Sequence, residues 1–311
     1  MTDFGISMDG RAPIAEIPAQ AQAAEAGGAG TLWIACHLFL RDPVTTAALA
    51  LGATRRIKVA LMAMSPFSMH PVVIAMAAAS LDEMYPGRVI LCLGVGAPAD
   101  LQAAHIAAPK PLAALEQAIA QCRGLLRGES AGFARHLANA GRDIPIVLAA
   151  SRPNMLSLAG RAADGVLISA ATSPPFVRAC LDRARAGDRR FRRLGIVYTR
   201  LGATEREAMD GIRRPIGFVL RGAHHAENVR MSGAPLDQTA LAAAYAAENW
   251  PEVERLVSDD VMRRHAACGT AEQVRARLKE YRDAGLDEVI LGGADDAASI
   301  TATLAAARGA A

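Results

Sequence analysis

Residues 31–62 read TLWIACHLFLRDPVTTAALALGATRRIKVALM. The stretch opens on an apolar run, Thr31 to Ala35, and passes through a proline-initiated, alanine-rich segment of helical period. It ends on a second apolar run, Ile57 to Met62. Such a strand–helix–strand order makes the two strands parallel, because a parallel pair needs a crossover of a dozen or more residues. Neither run alternates between polar and apolar side chains, which is the pattern of strands buried on both faces.

The same unit repeats outward in both directions. Strand runs fall at Phe4 to Met8, Thr31 to Ala35, Ile57 to Met62, Val89 to Leu93, Ile144 to Ala149, Gly165 to Ser169, Leu194 to Thr199 and Glu288 to Gly292. Between them Pro13, Pro43, Pro71, Pro111, Pro153 and Pro174 mark helix starts, where a missing N–H costs nothing. Gly27, Gly28 and Gly285 mark helix ends. Eight parallel strands with right-handed crossovers close most naturally into one barrel. The fold expected is therefore α/β, a single (β/α)8 TIM barrel over residues 1–311, with an elaborated crossover after the seventh strand at about residues 200–286.

Composition agrees with a globular chain: of 311 residues, 52% are hydrophobic and 21% charged, enough apolar side chain for one continuous core. The 34 basic and 31 acidic residues are interspersed and leave a net charge of only +3, which argues against a nucleic-acid partner. The five cysteines are far apart and never in a C-x-x-C pair, so they read as reduced thiols rather than zinc ligands. His224-His225 has no third ligand at metal spacing, and no metal is expected. Asp3 and Asp9 stand where a signal peptide would be cationic, and no run reaches the ~18 apolar residues of a membrane span. A cytoplasmic protein without membrane contact is expected.

In a parallel barrel the chemistry sits on the loops that follow the strands. His37, just beyond the second strand, is the foremost candidate; the competing reading is a loop histidine that caps nearby backbone. Gly94-Val95-Gly96 ends the fourth strand. It is a poor dinucleotide fingerprint, since Ala99 replaces the third glycine and Pro98 interrupts the turn; its bare backbone instead suits the close approach of a ring. After the fifth strand, Ala150, Ser151 and Asn154 surround a helix start able to meet an anion, with Ser151 as a plain N-cap the alternative. Arg41 and Arg152 are read first as solvated surface arginines, with added charge for an acidic cofactor tail as the alternative. His70, before Pro71, is expected to organise a helix start, and Asp82, Glu83 and Arg88 to form an internal ion pair.

Taken in order, W-I-x-x-H-x-x-x-R-D-P, P-x-x-x-H-P, L-D-E-x-x-x-G-R-V and G-x-G resemble the luciferase-like superfamily. The likeness is to the methylenetetrahydromethanopterin reductase branch, and continues through Ile144-Pro145-Ile146, Ala163-Asp164-Gly165 and Cys268-Gly269-Thr270. It implies a barrel of the bacterial-luciferase type and coenzyme F420, a deazaflavin hydride carrier, with FMN as the alternative. It also implies a cofactor-contacting His37 and a bulge with a non-prolyl cis peptide at Met62-Ala63 beneath the cofactor ring, with Ser65, Gly94, Val95 and Gly96 beside it. Two glutamates are absent: Ser7 stands in place of the one that related reductases carry at the end of the first strand, and Ala97 near the place of one that other deazaflavin enzymes carry just after the G-x-G. Ser7 and Asp9, two residues on, are the remaining polar candidates at the first strand end, but serine is a poor proton donor. The reading is an oxidoreductase moving hydride between the deazaflavin and a small organic or pterin-like substrate, in a homo-oligomer, dimer or tetramer. The alternatives are an FMN-dependent monooxygenase and a catalytically silent flavin-binding relative.

Overall fold

A computed structural model describes residues 3–184 and 190–309. Eight parallel strands close into a barrel: β1 (Asp3–Met8), β2 (Thr31–Ala35), β3 (Lys58–Met64), β4 (Val89–Leu93), β5 (Ile146–Ala149), β6 (Gly165–Ile168), β7 (Arg192–Leu201) and β9 (Glu288–Gly292). The ring closes because β9 pairs with both neighbours, Val289 lying opposite Phe4 of β1 and Gly195 of β7. All eight expected strands are present, β2, β4 and β9 with the expected bounds and the other five with shifted ends. β5 starts only at Ile146, after Pro145, which has no N–H to give a ladder. β7 runs two residues past Thr199, and Thr199 to Leu201 pair with a strand the pattern did not reveal, β8 (Ala267–Gly269). Three residues are too few to show a period.

The outer layer follows the prolines. Helices α2 (Pro43–Ala53), α3 (Pro71–Met84), α5 (Pro111–Arg127), α6 (Pro153–Ala162) and α7 (Pro174–Ala184) all begin on one, as does the unforeseen α4 (Pro98–Ala103). Pro13 precedes a single 3-10 turn and then α1 (Ile17–Ala26), and α14 (Ala297–Arg308) closes the ring beside it. His70 caps α3, its Nδ1 accepting from Val72 N at 3.2 Å. The expected Asp82–Arg88 pair is absent. Arg88 instead donates to the carbonyls of Leu51, Thr54 and Ile57, which end α2 and precede β3, while Asp82 takes Arg142 at 3.2 Å. Those carbonyls are left over at a helix end and draw the guanidinium.

Inside the barrel, Trp33, Ile90, Val147, Leu167, Leu194 and Ile290 fill the centre. The floor is polar. Glu288, 2% exposed, accepts from Thr31 Oγ1, from Trp33 Nε1 at 2.8 Å and from the Arg192 guanidinium. Gly5 faces this cluster, and a Cβ there would stand 2.6 Å from both the Glu288 carboxylate and the Thr31 hydroxyl.

The crossover from β7 to β9 contains α8 (Glu205–Leu220), α9 (Ala226–Ser232), α10 (Gln238–Ala246), α11 (Trp250–Leu256), α12 (Asp259–His265), β8 and α13 (Ala271–Asp283). It has its own core, in which Met209, Ile212, Ile216, Leu241 and Met262 meet. Fully buried Asn228 ties it to the loop after β6: its amide donates to Ala171 O and its oxygen accepts from the Ser173 N–H and hydroxyl. Tyr281 donates to Thr172 O in the same loop.

His225 and His265 lie in this region, 3% and 0% exposed. Burial, and for His225 the neighbouring histidines, lowers their pKa values from 6.5 to about 3 and about 4. Both are neutral in the native state, so below pH 6.5 the unfolded chain binds protons that the folded chain refuses. Stability should therefore fall with pH from about 6.5 towards about 4 and 3, each histidine contributing up to ~1.4 kcal/mol per pH unit. Thermal unfolding from pH 7 to 5, above the carboxylate range, should show a flatter decline in the His225→Gln, His265→Gln double variant than in the parent chain.

Candidate functional site

At the C-terminal mouth of the barrel the loops after β2, β3 and β4 form one bonded unit. Cys36 N donates to Met62 O at 2.6 Å, and Gly94 N to Met64 O at 3.0 Å. The Met62–Ala63 peptide is cis, and the pairing of β3 with β4 shifts register between Leu61 and Met64. Ser65 is buried and committed to the loop itself: its hydroxyl donates to Val95 O at 2.7 Å and accepts from Phe67 N. Ser65 thus acts through Gly94-Val95-Gly96 and offers no free group of its own.

Gly94 sets the floor of the mouth. A Cβ there would stand 2.8 Å from Ala63 Cβ and 3.4 Å from Ala149 Cβ, closer than real contacts allow for the first. Gly96 has φ +95°, a conformation that glycine accepts without strain. The result is a shallow bed of backbone and methyl groups, bounded by half-buried Met62, Ala63, Val95 and Ala149.

His37 stands one residue past the Cys36–Met62 bond. Its Nδ1 lies 3.0 Å from Asp100 Oδ2, with the two side chains 46% and 28% exposed. Asp100 was missed in the sequence because acids were sought at Ala97, immediately after the glycines. It lies three residues on, in the first turn of α4, whose start at Pro98 returns the carboxylate to the mouth. With Nδ1 donating to a carboxylate, Nε2 is the nitrogen left to hold or pass a proton.

On the opposite rim Ser7, Gly292 and Tyr198 share one level of β1, β9 and β7. A Cβ on Gly292 would make only ordinary contacts, 3.4 Å to Ile196, 3.7 Å to Tyr198 and 3.9 Å to Ser7. The half-buried Tyr198 hydroxyl has no hydrogen bond among the described residues; burial and the charges of Asp9 and Asp295 raise its pKa. Asp9 is exposed and accepts from the Arg11 backbone and guanidinium. Arg41 is likewise spent on the carbonyls of Gly10 and Arg11.

Beside the fifth strand end, α6 begins at Pro153 with Arg152 as N-cap and no side-chain cap. Ser151 is therefore not the cap, and the first-turn N–H groups are left without a side-chain partner. Ala150 is buried, Ser151 half-buried and Asn154 exposed. Two further groups converge here unforeseen. Ser169 Oγ, past β6, is buried without a partner, and His224 from the crossover has its pKa lowered by desolvation and by nearby Arg152. Neither sits in a periodic pattern that would have flagged it. A separate cavity of about 560 Å³, lined by Arg206, Asp210, Arg213 and Asp259, lies in the crossover. Its charges are spent on each other, buried Arg213 pairing with Asp210 and Asp259.

A closed parallel barrel with a bare floor, a histidine–carboxylate pair and an open helix start at its strand C-termini is an enzyme of the (β/α)8 class. The chain belongs to the luciferase-like monooxygenase family, which matches residues 1–288. It is 28% identical over 305 residues to a 5,10-methylenetetrahydromethanopterin reductase of Methanolobus tindarius, covering 93% of each chain. It is also 28% identical over 258 residues to an F420-dependent glucose-6-phosphate dehydrogenase of Tsukamurella paurometabola, covering 76% of this chain and 73% of that one. Its fold superposes on the coenzyme F420 dependent tetrahydromethanopterin reductase of Methanopyrus kandleri with a TM-score of 0.86, at 21% identity, covering 98% and 97%. No helix among the described residues is long and apolar enough to cross a membrane.

The floor makes a simple test possible. Gly94→Ala should destabilise the protein by ~1–3 kcal/mol through overpacking against Ala63, whereas Gly292→Ala, which meets only ordinary contacts, should stay within ~0.5 kcal/mol. Chemical denaturation of the two variants checks the contrast.

Proposed function

We propose that the protein is a deazaflavin-dependent oxidoreductase that uses coenzyme F420 as hydride carrier for a small organic substrate with a reducible carbonyl or imine group. The observation that carries this reading is the His37–Asp100 pair, one residue past Cys36, whose N–H bonds Met62 O next to the small residues Ala63 and Gly94. The floor fits a planar ring, because only backbone and small side chains stand there, the Ala63 methyl lying close over Gly94. The open start of α6 and the orphaned Ser169 hydroxyl fit the cofactor's phosphate. The F420-dependent relatives support the choice of coenzyme.

When bound, the coenzyme supplies the hydride chemistry, and the chain's own groups do the rest. Ser151, Asn154 and the first-turn N–H groups of α6 hold the anionic tail. Met62, Ala63 and the Gly94-Val95-Gly96 backbone support the ring. His37, oriented by Asp100 through Nδ1, holds a proton on Nε2 for the substrate heteroatom beside the carbon that is reduced. A pterin-like substrate is the finer form of this reading, carried by the 5,10-methylenetetrahydromethanopterin reductase relatives. The missing acids at Ser7 and Ala97 no longer leave the site without a proton route, which weakens the reading as a silent relative.

Calorimetric titration with F420 and with FMN should show the deazaflavin binding at least ~10-fold more tightly, a difference of ~1.4 kcal/mol. Ser151→Asp should weaken that binding by placing a negative charge against the phosphate. Asp100→Asn and His37→Ala should leave the barrel folded and lower turnover by on the order of 10²-fold. FMN binding as tightly as F420 would transfer the reading to a monooxygenase, and binding of neither would make the protein a silent relative.

A further inference from the structure

Two hydroxyls at the mouth are left unused by the roles given so far. Ser7 pairs in register with Trp33, and Tyr198 with Gly292. Trp33 fills the barrel centre, as do Leu194 and Ile290, which lie an even number of residues below Tyr198 and Gly292 on their own strands. Side chains alternate along a strand, so Ser7 and Tyr198 both point inward. Gly292, between them, adds no side chain. Round the ring β7 and β9 stand opposite β3 and β4, so Tyr198 faces the bed at Ala63 and Gly94 across the opening, and Ser7 stands on the next strand beyond β9. Both side chains are half-buried, and neither hydroxyl has a hydrogen bond among the described residues. The cations beside them are already engaged: Arg11 with Asp9 at 2.9 Å, Arg41 with the carbonyls of Gly10 and Arg11, and Arg200 with Gly293 O at 3.4 Å and, at 3.9 Å, Asp295.

We propose that Tyr198 and Ser7 orient the substrate from the side opposite the bed, and that the substrate is an uncharged carbonyl compound with a second neutral oxygen for these hydroxyls to hold. The inference rests on the reading of the protein as an F420-dependent oxidoreductase and narrows it. A hydroxyl can give a hydrogen bond to a carbonyl oxygen or accept one from an alcohol, so the pair suits a neutral oxygen of either kind. Burial and the charges of Asp9 and Asp295 raise the Tyr198 pKa, which keeps the phenol protonated and able to donate. A carboxylate or phosphate on this side of the substrate would lose its water without gaining a free counter-charge, and that is costly. His37 serves the oxygen on the carbon that takes up the hydride. The hydroxyl pair fixes the far end of the molecule and thereby sets which carbon is presented.

Three ketones of one skeleton test this: cyclohexanone, 4-hydroxycyclohexanone and 4-oxocyclohexanecarboxylate. With the F420-bound protein, saturation-transfer NMR should give a dissociation constant about 5–10-fold lower for the hydroxy ketone than for cyclohexanone, the effect of one added hydrogen bond, with the carboxylate the weakest of the three. Tyr198→Phe should bring the hydroxy ketone to within ~2-fold of cyclohexanone, and Ser7→Ala should remove part of the preference. Affinity for F420 itself, set across the mouth, should move by less than ~2-fold in either variant. In steady-state reduction of the hydroxy ketone, both substitutions should raise KM more than they lower kcat. Equal affinity for the three probes, tightest binding of the carboxylate, or a preference that survives both substitutions would overturn the inference while F420 binding stands. Failure of F420 to bind, seen before any ketone is added, would overturn it together with the reading beneath it.

Discussion

The barrel depends on a carboxylate sealed into its floor. Glu288 joins four strands across the seam where the first and last elements meet: Thr31 and Trp33 come from β2, Arg192 from β7, and Gly5 of β1 makes way for them. A buried charge of this kind is costly to desolvate and is tolerated only when its hydrogen bonds are complete. Here both oxygens are served, so any register but the observed one would leave the charge without partners. The cluster therefore acts against slippage at the one place where the chain cannot rely on a local turn.

With closure fixed below, the upper end can be built from small residues. Ala63 and Ala149 pack against the top of the barrel core, and with Gly94 they leave the bed of the mouth free of large side chains. Loops that would otherwise be loose are bonded to each other, through Cys36 to Met62, Gly94 to Met64 and Ser65 to Val95. Function and stability are thus separated along the barrel axis, as the (β/α)8 architecture generally allows.

How much of this was legible follows from what kind of signal each feature leaves. Strands such as Thr31–Ala35 and Val89–Leu93 were readable because burial on both faces writes a continuous apolar run. β8 was not, since three residues hold no period, and Arg88 was misassigned because the leftover carbonyls of a helix end have no sequence signature. The strand-end positions of His37 and Gly94 were legible from topology alone. Asp100 was not, because its approach to His37 depends on where α4 begins. Tyr198, Ser169 and His224 reach the mouth from three separate segments, a convergence that only folding creates. Glu288 looked like the polar start of an ordinary strand.

The Asn228 clamp has a consequence for how the mouth can move. Opening the loop after β6 would expose a buried amide and break its bonds to Ala171 and Ser173, together with that from Tyr281 to Thr172. Each such loss carries the desolvation cost of an orphaned polar group. The opposite rim is differently made: Phe39 is 74% exposed at φ 64°, His37 is half in solvent, and α4 spans only six residues. Fewer buried bonds oppose local opening there. One wall of the mouth is braced by buried hydrogen bonds and the other is not, so local opening is expected on the side of His37 and Phe39, with the crossover side as the fixed reference.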